Sequence, residues 1–137
     1  MSDVNDWNQK IIEEFRSNDG KVGGYFKNMT LLLLHTTGAR SGLPRLNPVA
    51  CIQDGDRYVI VASKGGAPSH PDWYHNLVAH PRVHVEVGKE EFDALAVVTG
   101  EPERTELFNK VASLYPTFAD YEKNTERVIP VVTLTRL

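Results

Sequence analysis

The chain has 137 residues, with 15 Lys and Arg against 18 Asp and Glu and a formal net charge of -3. Charged residues make up 24% and hydrophobic residues 41%, the ordinary globular mixture, which excludes wholesale disorder. A mildly acidic chain lacks the charge on which general nucleic-acid binding rests, so no nucleic-acid partner is expected and any anion site must be a local cluster.

This length suits a single domain over 1–137, large enough to bury roughly two-thirds of the unfolded chain's surface. Residues 1–20 form its N-terminal helix. Val4, Trp7, Ile11 and Phe15 recur at helical spacing, Ile12 widens the stripe, Asp3 is placed to cap it, and Asn18-Asp19-Gly20 to stop it. Such a helix packs over one end of a barrel. The alternative is a weak foot on a membrane surface, but Glu13 and Glu14 offset Lys10 and Arg16 on its polar face. Residues 1–6 do not read as a secretory leader, and the longest apolar run, Leu31 to Leu34, is far too short to span a bilayer. A cytoplasmic protein is expected, with association at the membrane periphery as the variant. Nothing in the sequence speaks to an oligomeric state.

Short strands dominate from residue 30 onward. Thr30–Thr36 is followed by a glycine-bearing turn over 37–42, and Leu46–Gln53 and Arg57–Ser63 flank the hairpin signal Asp54-Gly55-Asp56. Val83–Val87 and Phe92–Val98 form a second hairpin across Gly88-Lys89. Val128–Leu134 is a last strand, whose Pro130 predicts an edge position or a bulge. Helices are expected over 71–78, closed by Pro81, and over 102–115, ended by Pro116. About six hairpin-connected strands with late helices predict a mainly β, α+β fold built on a small antiparallel barrel.

Familiar signatures are missing: no Walker loop, GxGxxG, HExxH or GxSxG. The lone Cys51 excludes an internal disulfide and a multi-cysteine zinc site, and its apolar neighbours mark it as an inert buried thiol. His70, His75 and His80 are spaced by five, about 140° apart on a helix, so they share no face and read as solvent-facing; no metal is expected. An enzyme with this inventory takes its hard chemistry from an organic cofactor.

Three segments carry chemistry. Thr36–Arg45 holds two glycines, two arginines and three hydroxyl side chains; glycines let backbone N–H groups turn around an anion, and arginine forks match phosphate or carboxylate. The same segment also reads as a plain solvated turn. Ser63-Lys64-Gly65-Gly66 leaves a strand with paired glycines that allow close approach of a flat ring, or simply make a mobile loop; Trp73 and Tyr74 follow nearby. Tyr115, Phe118 and Tyr121, three apart, form either core packing or a substrate wall.

These strings resemble the deazaflavin-dependent nitroreductase family. Thr36-Thr37-Gly38-Ala39-Arg40-Ser41-Gly42-Leu43-Pro44-Arg45-Leu46-Asn47-Pro48 is similar to its opening motif. Ala62–Ala67, Pro71–Leu77 and Tyr115–Tyr121 resemble three further motifs in the same order. The resemblance implies a split β-barrel related to flavin-binding barrels, with coenzyme F420 in a surface groove. It assigns Arg40, Ser41 and Arg45 to the coenzyme's phosphate and acidic tail. Pro48, Ala62, Ser63, Lys64, Gly65 and Gly66 line the deazaflavin ring, with Trp73 nearby. Implied substrates are quinones, nitroaromatics and activated double bonds. The proton comes from solvent or from one of the candidate donors Ser63, Tyr115 and Tyr121, and Phe118 is the substrate wall. Two departures stand out: Ala39 replaces a basic residue common in the family, and Phe118 a tyrosine of the members that act on nitroimidazoles. The alternatives to an F420H2-dependent reductase are an FMN-dependent oxidoreductase on the same barrel and a non-catalytic F420 carrier.

Overall fold

The computed structural model describes residues 3–23 and 29–137, and for residues 3–7 and Gly65 the backbone alone. Six strands, β1 (Thr30–Thr37), β2 (Pro44–Asp54), β3 (Arg57–Val61), β4 (Arg82–Val87), β5 (Glu90–Val98) and β6 (Val131–Arg136), close into a barrel in the order β1-β2-β3-β6-β5-β4. Every neighbouring pair is antiparallel. Helix α1 (Asp3–Ser17) precedes the barrel, α2 (Asp72–Ala79) lies between β3 and β4, and α3 (Glu103–Leu114) and α4 (Thr117–Lys123) lie between β5 and β6.

Period-two alternation explains the leucine run. In β1, Leu32 and Leu34 point into the barrel with Ile60, Val85, Val132 and Leu134, while Leu31 and Leu33 point outward beneath Ile11, Ile12 and Phe15 of α1. Both faces of the strand are buried, so four consecutive apolar residues are required where a half-exposed strand would alternate. β3 repeats the pattern, with Ile60 inside and Val59 and Val61 beneath Leu107, Phe108, Val111 and Phe118. Trp73 and Leu77 of α2 pack into the interior cluster. Tight two-residue connections make both hairpins, and Gly55 and Gly88 supply the positive φ that they need, 65° and 57°.

Helix α1 covers the barrel through Ile11, Ile12 and Phe15, and Arg16 fastens it further by a two-pronged bond to Glu86 of β4, at 2.8 and 3.1 Å. Those three apolar residues are occupied inside the protein and are not offered to a membrane. The side chains of Val4 and Trp7, and the cap expected of Asp3, lie outside the described side chains. Among the described residues no helix is long and apolar enough to cross a membrane.

Two expectations need correction. β6 is not an edge strand, because β3 and β5 flank it on both sides. Pro130 precedes it, and a proline there forfeits only a donor, while its carbonyl accepts the Ala62 N–H at 3.0 Å. The segment read only as an aromatic cluster contains α4, in which Phe118 and Tyr121 fall on one face, three residues apart.

Phe15 is 1% exposed and anchors α1. Phe15→Ala is expected to lower unfolding stability by about 3–5 kcal/mol, as core Phe→Ala changes do. Urea denaturation followed by tryptophan fluorescence measures it, and a loss below about 1 kcal/mol would mean that α1 is not integral to the fold.

Candidate functional site

The Gly38–Gly42 turn links β1 to β2 and is built mainly from its own backbone. Gly38 N–H donates to the Leu43 carbonyl (2.8 Å), Gly42 N–H to the Gly38 carbonyl (3.0 Å), and Leu43 N–H to Ser41 Oγ (3.1 Å). The expected cradle of inward-turned glycine N–H groups is therefore not what the turn offers, because these donors already have partners. What it presents is guanidinium. Arg40 and Arg45 are exposed, and among the described residues neither forms an ion pair. Among the described residues Arg45 bonds only to neutral oxygens, the Pro44 carbonyl at 3.1 Å and Ser41 Oγ at 3.5 Å.

Asn76 holds this turn from outside. Buried on α2, it accepts the Ala39 N–H through Oδ1 (2.9 Å) and donates through Nδ2 to Thr36 Oγ1 (3.2 Å). The third motif thus fixes the geometry of the first.

After β3 the chain makes one 3-10 turn, Lys64–Gly66. Lys64 takes φ +48°, an uncommon conformation for a non-glycine residue that the surroundings must hold in place. Gly66 is needed for two reasons: its φ is +82°, and a Cβ there would lie 2.9 Å from the Tyr121 carbonyl oxygen. The turn is pressed against α4. Arg127 secures it from beneath, donating to the carbonyls of Ser63 (2.5 Å), Ala67 (2.8 Å) and Ala62 (3.0 Å) and to Nδ1 of His70 (2.9 Å). His70 is therefore not the solvent-facing histidine that its spacing predicted. Desolvation first, then the charges of Arg127 and His75, holds it below its ordinary pKa, so its ring is neutral near pH 7 and Nδ1 keeps the lone pair that accepts from Arg127.

Two cavities lie along these elements. A groove of about 1160 Å³ is lined by Arg40, Ser41 and Arg45, with Asn8 and Gln9 of α1 and Asp72, His75 and Asn76 of α2. A smaller pocket of about 200 Å³ is lined by Pro48, Ser63, Lys64, Trp73, Phe118 and Tyr121, with Met29, Pro71 and residues of β2 and β3. They are lined by neighbouring residues on two elements: Asn47 lines the groove and Pro48 the pocket, and Asp72 lines the groove between Pro71 and Trp73 of the pocket.

Nine of the thirteen residues expected at the site are thus brought to one of these two cavities, by way of two turns, strand β2 and two helices. Of the other four, the Ala62 side chain is inside the barrel, and only its backbone faces the turn. Gly66 shapes the turn without lining the pocket, and of Gly65 the backbone alone is described. Tyr115 does not line it either, and its hydroxyl is committed to the backbone, donating to the Cys51 carbonyl (2.9 Å) and accepting from the Thr30 N–H (3.0 Å). Ser63 is 7% exposed, and no hydrogen bond of its hydroxyl is formed among the described residues. Cys51 is 2% exposed, and burial pushes its thiol pKa up to about 12, which removes it as a nucleophile. No cluster of three or more His, Cys, Asp or Glu placed to hold a metal occurs among the described residues.

A split barrel with a filled interior and an arginine-lined groove beside an aromatic pocket is the frame of a coenzyme-binding oxidoreductase. Residues 7–136 match the F420H(2)-dependent quinone reductase family, and the chain belongs to it. It is 41% identical over 126 residues to an F420H(2)-dependent quinone reductase of Mycobacterium tuberculosis, an alignment covering 89% of this chain and 85% of that protein. The solved structure of an F420-H2 dependent reductase is 38% identical with a TM-score of 0.70, covering 76% of this chain and 92% of that one. A solved domain-swapped dimer is 33% identical with a TM-score of 0.72, covering 96% of this chain and 98% of that one.

Asn76 offers a direct check on how the site is assembled. Asn76→Ala is expected to cost about 1–3 kcal/mol of stability, because Thr36 Oγ1 and the Ala39 N–H lose their partner. Amide hydrogen exchange at Ala39 should accelerate while the strands stay protected. Unchanged exchange at Ala39 would show that the turn holds itself.

Proposed function

We propose that this protein binds the reduced deazaflavin coenzyme F420 along the groove and pocket and passes its hydride to a quinone, with nitroaromatics and activated double bonds as further acceptors. The observation that carries the reading is the adjacency of the two cavities along β2 and α2, one lined by arginines and the other apolar and aromatic. An elongated ligand with an anionic tail and a flat ring matches that gradient. The second cavity alone is smaller than a typical drug-sized site, which fits one ring system with the remainder of the ligand in the groove.

The residues fit such a group. Arg40 and Arg45 form no ion pair among the described residues and offer their forks to phosphate and carboxylate, with the Ser41 hydroxyl beside them. Asp72 also lines the groove and works against a ligand of high negative charge, which favours placing the acidic groups near Arg45. Pro48, Trp73 and the Ser63–Gly66 turn form the bed for the ring.

When bound, the coenzyme supplies the hydride, which no side chain here can provide. The chain's contribution is orientation and exclusion of water. Trp73 and Phe118, at 8% and 7% exposure, give the pocket walls that are fixed by their packing. For the proton that accompanies hydride, Ser63 and Tyr121 border the pocket, whereas the Tyr115 proton is held by the Cys51 carbonyl. We assign Ser63 and Tyr121 as the hydrogen-bond donors toward the substrate, and Phe118 as the apolar wall. The cytoplasm is the compartment we propose, and the substrate is a small molecule.

Titration by tryptophan quenching is expected to give micromolar affinity for F420, about -8 kcal/mol, and weaker binding of FMN. Arg45→Ala should weaken F420 by about 1–2 kcal/mol, the lower range for a charged bond because the guanidinium is exposed. Tighter binding of FMN would replace the coenzyme assignment. Binding without steady-state oxidation of the reduced coenzyme by quinones would make the protein a carrier.

Phe118→Tyr tests the substrate wall. Phenylalanine offers area and a π-face but no donor, so flat quinones are expected as good substrates and nitroimidazoles as poor ones. The added hydroxyl should raise nitroimidazole kcat/KM by about 0.5–1.5 kcal/mol of transition-state stabilisation, with coenzyme affinity unchanged. Equal response of both substrates, or altered coenzyme binding, would place Phe118 in the core alone.

A further inference from the structure

We propose that Arg127 is a positioning residue that sets the distance between the coenzyme's ring and the substrate wall. The inference rests on the F420-dependent reading above and concerns a residue that lies in none of the recognised motifs.

Among the described residues the bonds of its guanidinium converge on one segment: the carbonyls of Ala62, Ser63 and Ala67, and Nδ1 of His70. Burial lowers its pKa, and no Asp or Glu of the described residues pairs with it. A partly buried cation without a carboxylate partner is a costly way to stabilise a fold, because desolvation is compensated only by carbonyl dipoles. The arrangement does something that a packed apolar side chain would not. A planar fork with five donors reaches acceptors on both sides of the Lys64–Gly66 turn at once and fixes them relative to one another.

The same residue sits just beyond α4, which carries Phe118 and Tyr121. Thr125 Oγ1 donates to the Ala67 carbonyl at 3.4 Å, and the Gly66 backbone lies against the Tyr121 carbonyl with no room for a Cβ. The ring bed and the substrate wall are therefore one bracketed unit, with Arg127 as its pin. The strained Lys64 backbone, at φ +48°, lies within the bracket and needs such restraint to persist. Hydride transfer depends on the separation of the reacting atoms, and displacement by about 1 Å can cost about a hundredfold in rate. Arg127 thus acts through the turn and touches neither coenzyme nor substrate.

The test compares wild type, Arg127→Lys and Arg127→Met by three readouts: exchange of the Gly66 and Ala67 amides in the free protein, F420 affinity by tryptophan quenching, and kcat and KM for a quinone at saturating reduced coenzyme. In Arg127→Met, both amides should exchange about tenfold faster, and kcat should fall about tenfold or more while quinone KM and coenzyme affinity move far less. Arg127→Lys should recover little of this, since one ammonium cannot span four acceptors. Wild-type kcat in Arg127→Met overturns the proposal. If that variant does not fold, wild-type kcat in Arg127→Lys overturns it. Loss of kcat without faster exchange at Gly66 and Ala67 also overturns it, because the turn would then not be the intermediary. A wild type that fails to bind F420 removes the functional reading itself, a result distinct from all of these.

Discussion

Closing six strands into a barrel leaves an interior wide enough only for the strands' own side chains. Leu32, Leu34, Ile60, Val85, Val132 and Leu134 fill it with no exposure at all, so the molecule has no internal chamber for a ligand. A coenzyme has to lie on the outside of the barrel, and the outside is already partly claimed. α1 covers the outward face of β1, and α3 and α4 cover that of β3. β5 turns an exposed face to solvent, and on the other side the outer surface of β2 is left bordered by α1, α2 and α4. The groove opens between α1 and α2, and the pocket lies where α4 faces the start of α2. The location of the site thus follows from where helices are needed to bury strand faces.

Placing four motifs around that gap is a problem of loops, since regular structure alone does not fix the turns that carry them. Two polar side chains from elsewhere in the chain solve it by bonding to backbone. Asn76 reaches from α2 to the Ala39 N–H and Thr36, and Arg127 reaches from the segment before β6 to three carbonyls of the turn after β3. Both are buried or partly so, which strengthens each bond and makes its loss costly. The barrel supplies the position of the site, and these side-chain-to-backbone bonds supply its shape.

That division also explains what could be read from the sequence. The helix and strand order was legible because alternation and helical spacing are local, as in Val83–Val87 or Ile11–Phe15, and the hairpins were marked by Asp-Gly and Gly-Lys pairs. The candidate site was legible through its strings, whose glycines and arginines are contiguous. Arg127 and Asn76 were not, because their partners lie 37 to 65 residues away and a lone arginine or asparagine has no spacing to betray it. α4 was hidden for a different reason. It is seven residues long, too short to display a full amphipathic pattern, and its aromatics drew attention as surface rather than as one helical face. Pro130 misled because a proline's cost in a sheet depends on whether its missing N–H faced a partner, and here it stands just ahead of the strand.

The arginines near the site divide by exposure, and the division follows their work. Arg40 and Arg45 stand in solvent, where screening keeps their interactions with other surface charges weak. An anionic ligand that covers them displaces that water, so their attraction grows as the complex forms and costs the free protein little. An acidic chain can in this way carry a cationic groove without general affinity for polyanions. Arg127 is the converse case: its cation is partly withdrawn from solvent, and four of its five donors are spent on three carbonyls and the His70 ring, so it has little left to offer a ligand. Its charge is used to hold backbone dipoles in register. Recognition is left to the exposed guanidiniums, which can adapt to an incoming tail, and geometry to the partly buried one, which cannot move without releasing the acceptors it holds.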